Sequence, residues 1–254
     1  MSSYSYKSIW KITYPIILGY MAQNLVYVVD TAFLGRVSEV ALGAAAIAGL
    51  YYMAVFMLGM GFGTGTQIII ARRYGEGEHT SIGKVLDHTF YFLLCFAVII
   101  FLILKYVSPL IFDELLNSND VNLATMEYLD YRAFGIFFAF INVGFRAFYV
   151  GIGNTKVLIW STNIMAIVNI ILDYALIFGH WGFPEMGIAG AAIASVISEA
   201  FTTLYFLWYS NKKTKTSLSL KNQYRFFTYP TIDKKLLKSM FNTSLPVMFQ
   251  NFIS

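Results

Sequence analysis

Three acidic residues lie where a charge is costly. Asp30, Asp173 and Glu199 sit inside long apolar runs, and a carboxylate at bilayer depth costs about 2.5–3.5 kcal/mol on insertion scales, so by default it has a role. Each belongs to a polar stripe at helical spacing. Gln23, Tyr27 and Asp30 fall at i, i+4 and i+7. Thr162, Asn169 and Asp173 follow at intervals of seven and four. Ser195, Ser198, Glu199 and Thr202 fall at i, i+3, i+4 and i+7. Each set makes one helix face. Counted inward from the outer ends of their runs at ~1.5 Å per residue, Asp30 and Asp173 lie ~9 Å deep and Ser195 ~12 Å deep, so three spans share one polar level. Two carboxylates with amide and hydroxyl oxygens nearby suit a cation. That cation is Na+ held by oxygen ligands, or a proton, because two desolvated carboxyl groups forced together resist being charged at once. The plainer reading is that these groups only glue helices by hydrogen bonds. Matched depth on separate spans favours the ion site for Asp30 and Asp173, while Glu199 stands evenly between the two readings.

The elements that must position these residues are membrane spans. The 254 residues are 57% hydrophobic and only 13% charged, against ~25% charged for a soluble domain. That excludes disorder, which needs low hydrophobicity and high charge. Cys95 is the only cysteine, so no disulfide scaffold exists within the chain. Apolar runs near the ~20 residues of a spanning helix extend from Tyr14 to Leu34, Leu42 to Ile70, Val85 to Leu104, Phe134 to Val150 with a start near Asn122, Val157 to Phe178, and Gly187 to Tyr209. A seventh begins near Leu236 and stops at Ser254 with no polar flank, as in a truncated chain. The first run is too long for the apolar core of a signal peptide and ends at Gly35-Arg36, so no cleavable leader is expected. The fold class is therefore all-α integral membrane. The expected organisation is a six-helix lobe over 1–210, a cytoplasmic loop over 211–235, and the start of a second lobe over 236–254.

Orientation follows from the basic residues. With a cytoplasmic N-terminus, 15 of the 18 Lys and Arg fall inside and only Arg36, Lys105 and Arg132 fall outside. Basic residues confined to connectors argue for membrane orientation, not for nucleic acid. The basic stretch from Asn211 to Lys235, which carries Pro230, is the longest connector. A weak internal repeat straddles it. Lys7, Ser8 and Pro15 align with Lys238, Ser239 and Pro246 at one offset, as if the seventh span restarted the first in a parallel repeat.

Other features are structural. Gly59, Gly61, Gly63 and Gly65 form a run inside an apolar helix, which serves packing or bending, not nucleotide binding. Pro15 is placed to bend the first span. His79, His88 and His180 have no metal-ligand spacing, and neither a nucleophile triad nor a Walker loop is visible, so an enzyme is not expected and no cofactor is called for.

With the residues in place, a family resemblance emerges. Asp30-Thr31-Ala32-Phe33-Leu34-Gly35-Arg36 downstream of Pro15 and Gln23, Gly65-Thr66-Gln67 followed by Ala71-Arg72-Arg73-Tyr74-Gly75-Glu76-Gly77, Arg146 before Gly151-Ile152-Gly153-Asn154-Thr155-Lys156, Asn169 with Leu172-Asp173, and the small-residue run from Gly187 to Ser195 resemble, in order and spacing, the multidrug and toxic compound extrusion (MATE) transporters. The resemblance implies a twelve-helix transporter of two six-helix lobes, of which this chain is the N-terminal lobe plus the start of helix seven. It implies an antiporter that exports drugs or organic cations against H+ or Na+ in the cell (inner) membrane, with the missing C-terminal lobe and the bilayer as partners. It places the cation-coupling site at Asp30, Asn169, Asp173 and Ser195, where Ser stands for a frequent Thr. Gln23, Tyr27, Thr162, Ser198, Glu199 and Thr202 remain as further polar cavity residues. The alternatives are a flippase of the same superfamily moving lipid-linked saccharides, and a non-transporting half-size membrane protein.

Overall fold

The computed structural model of the chain describes residues 6–212, 219–228 and 232–253, with side chains undescribed at 7–9, 11, 12, 15, 20 and 251–253. Ten α-helices follow in chain order: α1 (Tyr6–Val37), α2 (Glu39–Gly75), α3 (His79–Leu102), α4 (Ser108–Leu115), α5 (Asn119–Arg132), α6 (Gly135–Gly151), α7 (Lys156–Phe178), α8 (Gly187–Asn211), α9 (Leu220–Tyr224) and α10 (Lys234–Ile253). No strand occurs among the described residues. Five helical stretches are long and apolar enough to cross a membrane, and α5 with α6 makes a sixth when read as one span bent by 52°. This is an all-α, multi-pass membrane fold.

Three boundaries depart from the apolar runs. The third span does not stop at Leu104. A π turn, Ile103–Val107, carries it into α4 and on to Leu115. Lys105, the charge that seemed to end the run, reaches out to Asp130 at 2.8 Å and lies over the Phe134 ring, so its stem stays among apolar groups while its head is paired. The fourth span is broken between Arg132 and Gly135, so Arg132 sits at an internal joint, not in an outer connector. α10 forms where the seventh run begins, with Pro246 inside it. It is the least apolar of the helices longer than 15 residues. Pro15 lies within the uninterrupted α1, and its side chain is outside the described residues, as is Pro230.

Ser38 alone separates α1 from α2. It caps α2 by accepting the Ala41 N–H at 2.9 Å, which satisfies one of the free amides of the first turn. The glycine run then sets how α2 packs. A Cβ on Gly59 or Gly63 would strike Phe140 or Val143 of α6, while one on Gly61 or Gly65 would strike Met248 or Ser244 of α10. Residues four apart share a helix face, so alternate glycines admit two different neighbours to the α2 backbone. Ser244 also donates to the Phe62 carbonyl at 3.3 Å. The run is a packing device, and α10 is seated by it.

On α3, a fourth helix-borne carboxylate joins the three singled out from sequence. Asp87 is buried and accepts the Phe227 and Thr228 N–H groups at 2.5 and 3.2 Å. Next to it, His88 Nε2 accepts the Asp233 N–H at 2.8 Å, and Lys84 pairs with Asp233 at 2.7 Å. Arg225 and Phe227 adopt left-handed backbone conformations, which are costly for residues with side chains. Asp87 satisfies the amides of that strained turn. A Cβ on Gly83 would lie 2.0 Å from the Tyr224 carbonyl oxygen, so only glycine admits α9 this closely. Phe226 is fully buried against Phe148. Where it is described, the connector after α8, expected as the loop between the two lobes, is strapped onto α3.

Two outcomes follow. Gly65→Ala should destabilise the protein by about 1–3 kcal/mol through overpacking, read by thermal unfolding in detergent. Gly43→Ala, with open space around it, should be neutral or slightly stabilising. Separately, hydrogen bonds from Lys84 and from the Leu236 N–H hold the exposed Asp233 carboxyl down at about 2. Because the folded value is depressed, its contribution is complete above the ordinary value of 3.8 and is lost as pH falls toward about 2. Wild type and Asp233→Asn should therefore differ in unfolding temperature by a constant amount near neutrality and converge only in strong acid.

Candidate functional site

α1 packs along α7, and α7 along α8, which brings the three polar stripes face to face. Asn169 and Asp173 lie one turn apart on α7, and both are buried. The Asn169 amide lies between two carboxyl groups; assigned with its nitrogen toward them, the orientation that two acceptors favour, it donates to Asp30 Oδ1 at 3.1 Å and to Asp173 Oδ2 at 3.2 Å. The Asp30 and Asp173 side chains are also within hydrogen-bonding reach of each other. Asp173 Oδ1 is fully enclosed and has no hydrogen-bond partner among the described residues. An enclosed carboxylate oxygen without a donor is rare and marks a place for a proton or cation.

Asp30 and Asn169 open onto a cavity of about 470 Å³ between α1, α2, α5, α7 and α8, and Asp173 stands behind Asn169. Gln23, Tyr27, Ser195 and Ser198 line this cavity. A second cavity of about 340 Å³ adjoins it, lined by Thr162, Thr202, Asn142 and Arg146. Gln23, Glu199, Phe56, Met60 and Met165 border both. Every residue proposed for the cavity from sequence is on a wall. Ser195 shares the chamber with Asp30, while the carboxylate pair is joined by Asn169. Which methionines and aromatics would face a ligand was not decidable from sequence. Met53, Met57, Met60 and Met165, with Phe56, Tyr27, Tyr52 and Tyr128, line the first cavity.

Two functional-looking residues went unnoticed in the sequence. Arg132, counted there as an outer-connector charge, forms a bidentate pair with Glu199, Nη2 to Oε1 at 2.6 Å and Nη1 to Oε2 at 3.0 Å. Both side chains are little exposed, at 12% and 13%. The guanidinium also lies 4.0 Å over the Tyr52 ring, a favourable stacking geometry. Asn142 of α6 donates to the Glu199 carbonyl at 3.0 Å and accepts from Thr203 at 2.9 Å. Both arms of the broken span therefore meet α8 at Glu199, α5 through the carboxylate and α6 through the backbone. The second missed residue is Tyr128, one turn before Arg132, which lines the first cavity together with Asp30 and Asn169. The signal available was Arg132 and Tyr128 at i, i+4 spacing in an otherwise amphiphilic stretch, but α5 is too polar to stand out as part of a span.

The MatE family model matches residues 15–175. A "Probable multidrug resistance protein NorM" from Agrobacterium fabrum is 28% identical over 202 residues, covering 80% of this chain and 43% of that protein. One from Geobacillus kaustophilus is 30% identical over 187 residues, covering 74% and 41%. The chain spans about half the length, or less, of these curated relatives. Among solved structures, a MOP superfamily transporter from Pyrococcus furiosus matches with a TM-score of 0.84 at 21% identity, covering 96% of this chain and 52% of that one. An outward-facing multidrug resistance MATE family transporter matches with a TM-score of 0.83 at 22% identity and the same coverage. At such identities these structures speak to the fold, and they share it over nearly the whole of this chain.

The joint also yields a test. A Cβ on Gly135 would lie 2.0 Å from Arg132 Nη1 and 2.7 Å from Glu199 Oε2. Gly135→Ala should push the ion pair apart and cost about 3 kcal/mol or more, the scale for disturbing a buried pair. Gly75→Ala, at an open position, is the control in the same unfolding assay.

Proposed function

The chain belongs to the MatE family, and on that premise we propose that it is the N-terminal half of an ion-coupled exporter of drugs or organic cations that works by alternating access. The observation that carries the reading is the Asp30–Asn169–Asp173 cluster at the wall of a chamber. One carboxylate would suffice as a counter-ion for a drug. Two carboxyl groups in hydrogen-bonding reach form a site with two loading states, which is what coupling to an ion gradient requires.

The coupling ion we favour is the proton. A hydrogen bond between two carboxyl groups needs a proton on one of them, and an Asn169 amide assigned as a donor to both would stabilise the negative charge that remains. Na+ would need oxygen ligands, which the opposite orientation of the same amide would supply, so the choice of ion rests on the carboxyl–carboxyl contact. The enclosed Asp173 Oδ1 supports a site that fills and empties. Ser195, at the chamber wall, is proposed as an accessory hydroxyl.

The methionine and aromatic lining suits a flat lipophilic cation, held by polarizable and cation–π contacts near Asp30. Protonating the pair removes the charge that attracts such a cation, so loading one ligand would expel the other. Family membership favours this over a lipid-linked saccharide flippase. We further propose residence in the inner membrane with a cytoplasmic N-terminus. Arg132 at the joint of the fourth span and Lys105 within the third leave only Arg36 in the outer connectors, which strengthens the bias of basic residues. The second lobe would close the chamber from the side this chain leaves open.

The test is transport by the complete protein in proteoliposomes. Asp30→Asn and Asp173→Asn should each reduce drug export driven by an imposed pH gradient at least tenfold, and Ser195→Ala should reduce it less. Coupled export that survives both aspartate substitutions would overturn the site. Export driven by a Na+ gradient alone would reassign the ion.

A further inference from the structure

Glu199 has a better-defined partner than Asp30, yet it too faces the chamber. It borders both cavities, and its carboxylate is occupied by Arg132 in a fork-to-fork geometry. The guanidinium is a planar cation with its face on Tyr52 and its N–H edge on a carboxylate. That is how a planar aromatic amidinium or guanidinium ligand would sit in the same place. Arg132 thus occupies a complete cation site from within the chain.

We propose that Glu199 with Tyr52 is a second cation-recognition site of the chamber, latched by Arg132, and that a planar amidinium-type ligand binds there by displacing Arg132 and so frees α5. This rests on the cation-exporter reading. The two arms of the broken span are tied to α8 differently. α6 is held through the Asn142 amide to the Glu199 backbone carbonyl, which a ligand at the carboxylate leaves intact. The polar tie from α5 to α8 among the described residues is the Arg132–Glu199 ion pair itself. Displacement therefore releases α5 at the joint before Gly135, where the span already bends by 52°, and leaves α6 in place. α5 also carries Tyr128, one turn away, on the wall of the chamber that Asp30 and Asn169 line. Movement of α5 would carry Tyr128 with it, so occupancy at Glu199 is felt at the carboxylate pair. Arg132 at the latch and Tyr128 on the chamber wall are one turn apart on α5, and any coupling they carry between the two sites must be reciprocal.

The inference makes an unusual demand: removing a buried ion-pair partner should improve ligand binding. Benzamidine is the probe, titrated into the complete purified protein in lipid nanodiscs at low salt and mildly alkaline pH, with tetramethylammonium as a cation lacking a planar N–H edge. Arg132→Gln should tighten benzamidine binding at least tenfold and leave tetramethylammonium nearly unchanged. Arg132→Gln with Glu199→Gln should abolish the gain. Arg132→Lys, which keeps the charge but loses the fork, should show a smaller gain and decides the matter if Arg132→Gln does not fold. In the wild type, benzamidine should raise hydrogen exchange in α5 but not in α6. Benzamidine affinity that is unchanged or weakened in both Arg132 variants, or binding with no change in α5 exchange, overturns the latch. Saturable binding of neither cation to any variant, with Asp30→Asn equally silent, overturns the cation-exporter reading itself.

Discussion

A polar group among helices in a membrane has no water to fall back on, so it must find its partner in the protein. The Arg132–Glu199 pair is where this chain meets that demand most visibly. The fourth span breaks there, and both sides of the break are anchored to one residue of α8. The break turns α5 away from the line of α6, and the space beside it is the larger cavity, with Arg132 and Tyr128 on its wall. Gly135 follows from the same pair, because its missing Cβ is the room the guanidinium uses. The ion pair need not add net stability, since taking both charges out of water is expensive. Its value lies in specifying one arrangement of the bent span.

The carboxylate cluster obeys the same constraint with the opposite outcome. Asp30 and Asp173 have no basic partner among their described hydrogen bonds, only Asn169 and each other. One pair of acidic and basic side chains is closed upon itself, while the other acidic pair is left short of a donor, with Asp173 Oδ1 unpartnered. A site left incomplete in this way is what the proposed uptake and release of an ion would need. Both arrangements border the larger cavity, where Arg132 and Tyr128 of α5 share the wall with Asp30 and Asn169.

Packing elsewhere serves to hold these helices in register. α2 touches α6 and α10 through alternate glycines, a close approach driven by van der Waals contact where hydrophobic collapse supplies nothing between helices. Near the same end of the bundle, Asp87, His88 and Lys84 fix the connector after α8 onto α3. This ties the end of the six-helix unit to the helix that follows, so α10 approaches α2 from a defined direction.

Much of the site was legible in the sequence. The apolar runs from Val157 and from Gly187 fix α7 and α8 almost to the residue, because length and hydropathy are local properties. A count of residues from each span's end placed Asp30 and Asp173 at one depth, with Ser195 close to it, and helical spacing put Asn169 on the Asp173 face; the Asn169 amide lies between the two carboxyl groups. Other features needed the tertiary structure. Arg132 read as a connector charge because its partner lies 67 residues away, and nothing in the local pattern announces a pairing at that distance. Lys105 read as a span end because composition does not show a charge being carried back over Phe134. The glycine run announced close packing but not which helices approach, and the buried role of Asp87 depends on a strained turn formed far along the chain. The sequence by itself determined which residues belong in the membrane and which face inward, since periodicity and depth depend only on neighbours along the chain. Which of them meet, and which are left without a partner, was decided by packing, because pairing energies depend on neighbours in space.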